Sequence, residues 1–218
     1  VDGVLVPEQR IPDSDAVDAL LERILSAEQR AVLCTRDIDF AWTYAGRRFR
    51  VNAYRMQGGA GLALRLLPAR IPTPVDIGMP QVLQMTAARR DGLALVCGAT
   101  GAGKTTTLAA LIEVVNQTRS VHIITLEDPV EYLFSPARSF LSQREAGRDF
   151  SAFPSAVRSA LREDPDVLLI GEIRHRATME AALMAAATGI LVLGTLHTRS
   201  AAETPLRVEG MFSPDVRD

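Results

Sequence analysis

The chain has 218 residues, 24 Lys+Arg against 26 Asp+Glu, and a formal net charge of −2. That length suits one large domain or two small ones, and 47% hydrophobic with 23% charged residues excludes a disordered chain. Near-neutrality argues against a protein whose main partner is nucleic acid. Of the 24 basic residues, 23 are Arg, and Lys104 is the single lysine. The longest uncharged stretch, Ala181–Leu196, has 16 residues and is broken at Thr188-Gly189. It predicts a helix followed by a strand, and no transmembrane segment. No signal-peptide pattern opens the chain, and Cys34 and Cys97 read as free buried thiols, so the expected compartment is the cytoplasm. His122, His175 and His197 share no ligand spacing with the cysteines.

In chain order, Val17, Leu20, Leu21, Ile24 and Leu25 form a helical stripe after the capping candidates Asp13 and Ser14. The period then changes to two. Phe40, Trp42 and Tyr44 alternate, Ala45-Gly46 turns, and Phe49, Val51 and Ala53 alternate again, predicting a β-hairpin. Leu62, Leu64 and Leu66 predict a third strand after a Gly58–Gly61 turn. Arg48, Arg50, Asn52 and Tyr54 fall on the face opposite Phe49 and Val51. This gives a small α+β domain over 1–71, followed by a Pro-rich linker over 72–80. From 81 to 218 the pattern is that of an α/β domain with a parallel sheet. Strands are expected at Leu93–Cys97, His122–Leu126, Val167–Ile170 and Leu191–Leu196, with helices at Lys104–Asn116, Ala152–Glu163 and Thr178–Ala187.

Gly98-Ala99-Thr100-Gly101-Ala102-Gly103-Lys104-Thr105 satisfies G-x-x-x-x-G-K-[ST] between an apolar strand and a helix. Glycines let backbone N–H groups approach phosphate oxygens, and the helix N-terminus adds the positive end of a dipole. Lys104 would reach the β/γ-phosphates, the Thr105 hydroxyl would ligate Mg²⁺, and Thr106 follows in the first helical turn. The lone lysine thereby has a reason: a slim point charge fits a loop wrapped around phosphate where a planar guanidinium does not.

Three further segments end strands with polar groups. Glu127, Asp128 and Glu131 follow the second strand of the sheet, on the edge where open α/β sheets bind ligands; alone they also read as a solvated acidic turn. Val167–Ile170 ends in Gly171-Glu172, which looks like a Walker B element with its charge on Glu172. A Glu there can polarise the attacking water and hold Mg²⁺ through a water. Leu191–Leu196 ends in His197, a candidate γ-phosphate sensor and equally a structural histidine.

Four motifs in this order, the P-loop, Leu126–Glu131, Leu161–Arg174 and Gly194–Thr198, resemble the secretion-ATPase superfamily: type II secretion, type IV pilus and type IV secretion motors. Phe49–Tyr54, Gly59–Arg65 and Ser142–Glu145 are similar to the type IV pilus retraction (twitching motility) ATPases in particular. The resemblance implies a PAS-like N-terminal domain joined to a P-loop, RecA-like ATPase domain. It also implies a homo-hexamer using ATP and Mg²⁺, cytoplasmic but peripheral at the inner membrane, where a pilus or secretion platform protein is the partner. By match, Lys104, Thr105, Glu127, Glu172 and His197 carry the nucleotide site, Arg50 and Arg65 reach the phosphates from the N-terminal domain, and Arg158 and Arg162 are phosphate-side arginines of the ATPase domain. Ile190 and His175 depart from the family pattern, which has His and Asp there. The family continues well past the position of Asp218 and opens with a further strand, so the chain reads as a piece of a longer motor. Two alternatives stand beside the retraction reading: a type II or conjugation-type secretion ATPase, and a nucleotide-binding assembly subunit without turnover.

Overall fold

The period-two pattern and the apolar runs become two separate sheets. A computed structural model describes residues 14–212. The chain divides into two units at Leu67/Pro68. Asp13 and the side chain of Ser14 lie outside the described residues, so the expected cap of the first helix does too.

The first unit contains α1 (Ser14–Ile24), α2 (Ala27–Leu33) and an antiparallel sheet of β1 (Ile38–Tyr44), β2 (Arg47–Met56) and β3 (Gly59–Leu66) in that order. A capping box starts α2. Ser26 Oγ accepts from Gln29 N–H at 3.1 Å and Gln29 Oε1 accepts from Ser26 N–H at 3.0 Å. Leu21, Leu25 and Leu33 pack on Phe40, Val51, Ala53 and Ala60 to form the core. Ala45 and Gly46 both take positive φ, as a tight two-residue hairpin requires. The second turn is shorter than expected. Met56 pairs with Gly59, so only Gln57-Gly58 turn, and Gly59–Gly61 already belong to β3. Cys34 is exposed and Cys97 half-buried, and both are free, which corrects the expectation of two buried thiols.

The second unit opens with α3 (Gln81–Gln84), which runs into a 3₁₀ turn, Met85–Ala88. Then follow β4 (Gly92–Cys97), α4 (Lys104–Thr118), β5 (His122–Glu127), β6 (Phe140–Glu145), α5 (Phe153–Ala160), β7 (Val167–Ile170), α6 (Arg176–Ala187), β8 (Leu191–Leu196) and α7 (Thr204–Phe212). The sheet is parallel with order β4-β8-β7-β5-β6. Its central strands alternate between two cores. Ile123, Val167, Leu169, Leu191 and Leu193 meet α4 through Leu108, Leu111, Ile112 and Val115, with Met79 of the proline-rich stretch joining them. Ile124, Leu126, Leu168, Ile170 and Val192 meet α5 and α6 on the other face. Both faces are therefore covered, which is why these strands read as unbroken apolar runs. Strand β6 escapes that pattern because it is an edge strand whose sequence, Phe-Leu-Ser-Gln-Arg-Glu, has only two apolar residues.

Candidate nucleotide site

All five strands point their C-terminal ends to one edge, and four motifs gather there. The loop after β4 enters α4 at Gly103, which has φ +89°. An L side chain rarely adopts that conformation, so glycine is needed where the chain turns into the helix. Lys104 Nζ lies over the loop and donates to Gly98 O and Ala99 O, both at 2.9 Å. Thr105 and Thr106 stand in the first turn of α4. Thr106 is turned aside, with its hydroxyl 3.2 Å from the Tyr132 hydroxyl. A cleft of about 490 Å³ opens beside Gly98 and Ala99, with His197, Thr198 and Arg207 among its lining residues.

Glu172 lies two residues past the end of β7. Its Oε1 accepts from Arg174 Nε at 2.6 Å and lies 3.1 Å from His197 Nε2. Burial pushes its carboxyl up, but Arg174, by hydrogen bond and charge, together with His197 and Lys104, outweighs that and holds it below the ordinary value. Glu172 is thus an anion at neutral pH with one oxygen fixed. Gly171 takes the place before it for a steric reason. A Cβ there would stand 3.1 Å from Leu126 O and 3.2 Å from Glu127 Cα, and Gly171 N–H donates to Leu126 O at 2.7 Å. The strand end is pressed against β5, so the carboxylate must come from the next residue.

Glu127 ends β5 and is buried. Its Oε1 accepts from Thr125 Oγ1 at 2.7 Å and from Gln143 Nε2 at 3.3 Å. Burial is the dominant influence, these bonds oppose it, and the carboxyl is pushed up to about 7. Glu127, the last residue of β5, and Glu172, two residues past the adjacent β7, are therefore a carboxyl poised near neutrality and a firm carboxylate.

Not every expected residue gathers here. Arg158 and Arg162 lie on and just after α5, which covers the opposite face of the sheet from α4. Arg162 donates to Arg158 O and to Ser159 Oγ, both at 3.1 Å. It stands just ahead of β7, at the N-terminal edge of the sheet, so neither arginine is brought to the phosphate loop of its own unit. Arg50 and Arg65 belong to the first unit, directly opposite each other across β2 and β3. His122 is structural, with ring nitrogens 3.0 Å from Glu163 O and 3.2 Å from Ser142 Oγ. Ile190 packs in the core beside α6, and His175 precedes the first turn of α6. Two residues of the site were not singled out from the sequence. Arg174 lies two positions from Glu172, a spacing that is a usable signal at a strand end. Gln143 lies in the Ser142–Glu145 stretch that carries the resemblance, but nothing local gives its role, because its partners come from other segments.

A family model described as "Type II/IV secretion system protein" matches residues 39–216. The chain is 47% identical over 208 residues to YggR of Escherichia coli strain K12, covering 94% of this chain and 64% of that protein. It is 44% identical over 198 residues to the type IV pilus retraction ATPase PilT of Pseudomonas aeruginosa, covering 90% of this chain and 58% of that one. Among solved structures, the pilus retraction motor PilT with bound ADP superposes with a TM-score of 0.86 at 44% identity, over 91% of this chain and 58% of that one. The Legionella pneumophila ATPase DotB gives 0.85 at 31%, over 95% and 60%. The chain thus spans about three fifths of the length of these relatives. With the motifs in order on a parallel sheet of matching fold, the chain belongs to the type II/IV secretion system protein family.

Proposed function

We propose that this chain is the nucleotide-hydrolysing part of an ATP-driven motor of the pilus-retraction kind. One observation carries the reading: a P-loop with its lysine in place, facing a carboxylate, Glu172, that Arg174 and His197 keep ionised and oriented. The loop and the α4 N-terminus bind the phosphates, and Lys104 neutralises them. Glu172 orients and polarises the attacking water, and Glu127 is placed to take up or release a proton. Catalysis is positioning and charge neutralisation, without a covalent intermediate.

The donor set suits Mg²⁺. Among the described residues no three His, Cys, Asp or Glu side chains form a cage. Mg²⁺ needs none, because it keeps its waters and takes phosphate oxygens plus one or two protein oxygens. The Thr105 hydroxyl and, through a water, Glu172 would hold it, and it would supply charge stabilisation to the transferred phosphoryl group.

As a working assembly we propose a homo-hexamer, a PAS-like and a RecA-like domain in each subunit, with a junction in the proline-rich stretch. Arg50 and Arg65 of the first domain would close over the phosphates. Arg158 and Arg162, turned away from their own loop, would serve the site of a neighbouring subunit. The 44% identity to PilT supports retraction over the other motors of the family. No helix of the described residues is long and apolar enough to cross a membrane. From its likeness to pilus motors, a peripheral position in the cytoplasm, on an inner-membrane platform protein, is proposed. A phosphate-release assay on the full-length protein tests the reading. Mg²⁺-dependent release is expected, and nucleotide binding with no release would favour an assembly subunit instead.

A further inference from the structure

Gln143, on the strand that the sequence hides, is directly across the β5–β6 ladder from Thr125. Both side chains donate to the same atom, Glu127 Oε1. The Gln143 amide is engaged at both ends. Its Oε1 accepts from Phe134 N–H at 2.9 Å, and its Nε2 also donates to Tyr132 O at 2.9 Å. An N–H on one side with a carbonyl and a carboxylate on the other fix which way the amide points. Tyr132 is only 5% exposed, and its hydroxyl meets Thr106 on α4. Tyr132 therefore links the two ends: its backbone carbonyl is held by Gln143, which also holds the Glu127 carboxyl, and its hydroxyl meets the helix that carries Lys104 and Thr105.

We propose that Gln143 is a positioning residue that holds the Glu127 carboxyl and, through Tyr132 and Thr106, sets the acidic segment against the phosphate-loop helix. Its kinetic consequence rests on the ATPase reading above; the clamp itself rests only on these contacts. The charged and titratable groups near Glu127 are Glu131, whose charge opposes ionisation and whose N–H favours it, Asp128 next in the chain with Arg174 acting on it, Glu145 opposite on β6, and Tyr132. In this acidic setting the neutral donors Thr125 and Gln143 help Glu127 to ionise, so losing one raises its titration midpoint.

The test uses the full-length protein with Gln143→Met. Infrared spectroscopy follows the protonated-carboxyl band of Glu127, assigned by its loss in Glu127→Gln, against pH. The midpoint is expected to rise by about half a unit. The kcat for ATP is expected to fall about tenfold, with KM and ATP affinity changed less than about twofold. If the Met variant does not fold, Gln143→Asn replaces it, a shorter amide that withdraws the donor from Glu127 without adding a charge; the same rise in midpoint is expected. A purely packing role would lower Tm and leave the midpoint in place. An unmoved midpoint, or an unaltered kcat in an active enzyme, overturns the proposal. A raised midpoint in a protein whose wild type hydrolyses no ATP upholds the clamp and sinks the ATPase reading.

Discussion

Arg174 donates its Nε–H to Glu172 Oε1 at 2.6 Å, across a single intervening residue. Ile173 is held in the core, with its N–H donating to Thr195 O at 3.0 Å. Glu172 and Arg174 therefore leave the core on the same side and meet. The same oxygen lies 3.1 Å from His197. This pairing supplies the hydrogen bond and charge that outweigh burial at Glu172. Arg174→Ala is expected to raise the Glu172 pKa and move the acidic limb of the pH–rate profile upward by about one unit. An unshifted limb would show that another group governs it.

Glu127 makes the opposite demand on pH. Its folded-state pKa, about 7, is raised above the ordinary 4.5. Between those values the folded state binds more protons than the unfolded state, so this group's contribution to stability falls as pH rises from about 4.5 to 7. A shift of that size corresponds to a few kcal/mol, on the order of 3. Chemical denaturation across this range should show Glu127→Gln losing that downward slope relative to wild type. Parallel slopes would mean that Glu127 ionises normally.

Gly171 is fixed by contact, not by backbone angle. Because a Cβ would press on Leu126 O and Glu127 Cα, both in a buried, bonded strand, Gly171→Ala should destabilise by about 1–3 kcal/mol and lower Tm by several degrees. A calorimetric scan reads this directly.

The lysine has a geometric reason of its own. Its Nζ fits between two loop carbonyls at 2.9 Å. Lys104→Ala should abolish nucleotide binding in calorimetry. Lys104→Arg should weaken it by at least tenfold, because the wider guanidinium cannot occupy the same place. Wild-type affinity in the Arg variant would refute the size argument.

Much of the fold could be read from local pattern. The buried strands announce themselves because both faces are covered, and the P-loop because phosphate binding needs glycines, a lysine and a hydroxyl in one short segment. Strand β6 could not be read in this way, since an edge strand with Ser, Gln and Arg gives no apolar period. The candidate site divides on similar lines. Lys104 was legible from the P-loop motif, and Glu172 and His197 because each follows a strand. Gln143 was not, since its role depends on Glu127, Tyr132 and Phe134 reaching it from elsewhere in the chain. Arg158 and Arg162 were read only through their match to the family. Which face of the sheet α5 covers is decided by packing, and it carries them away from the loop.

The most direct measurement is ATP turnover and ATP binding by the full-length protein with Glu172→Gln. The substitution preserves size and removes the charge that orients water. Binding should stay within about twofold of wild type, while phosphate release should fall by at least about a hundredfold. Release at the wild-type rate, with binding intact, would contradict the role assigned to Glu172 and the mechanism built on it.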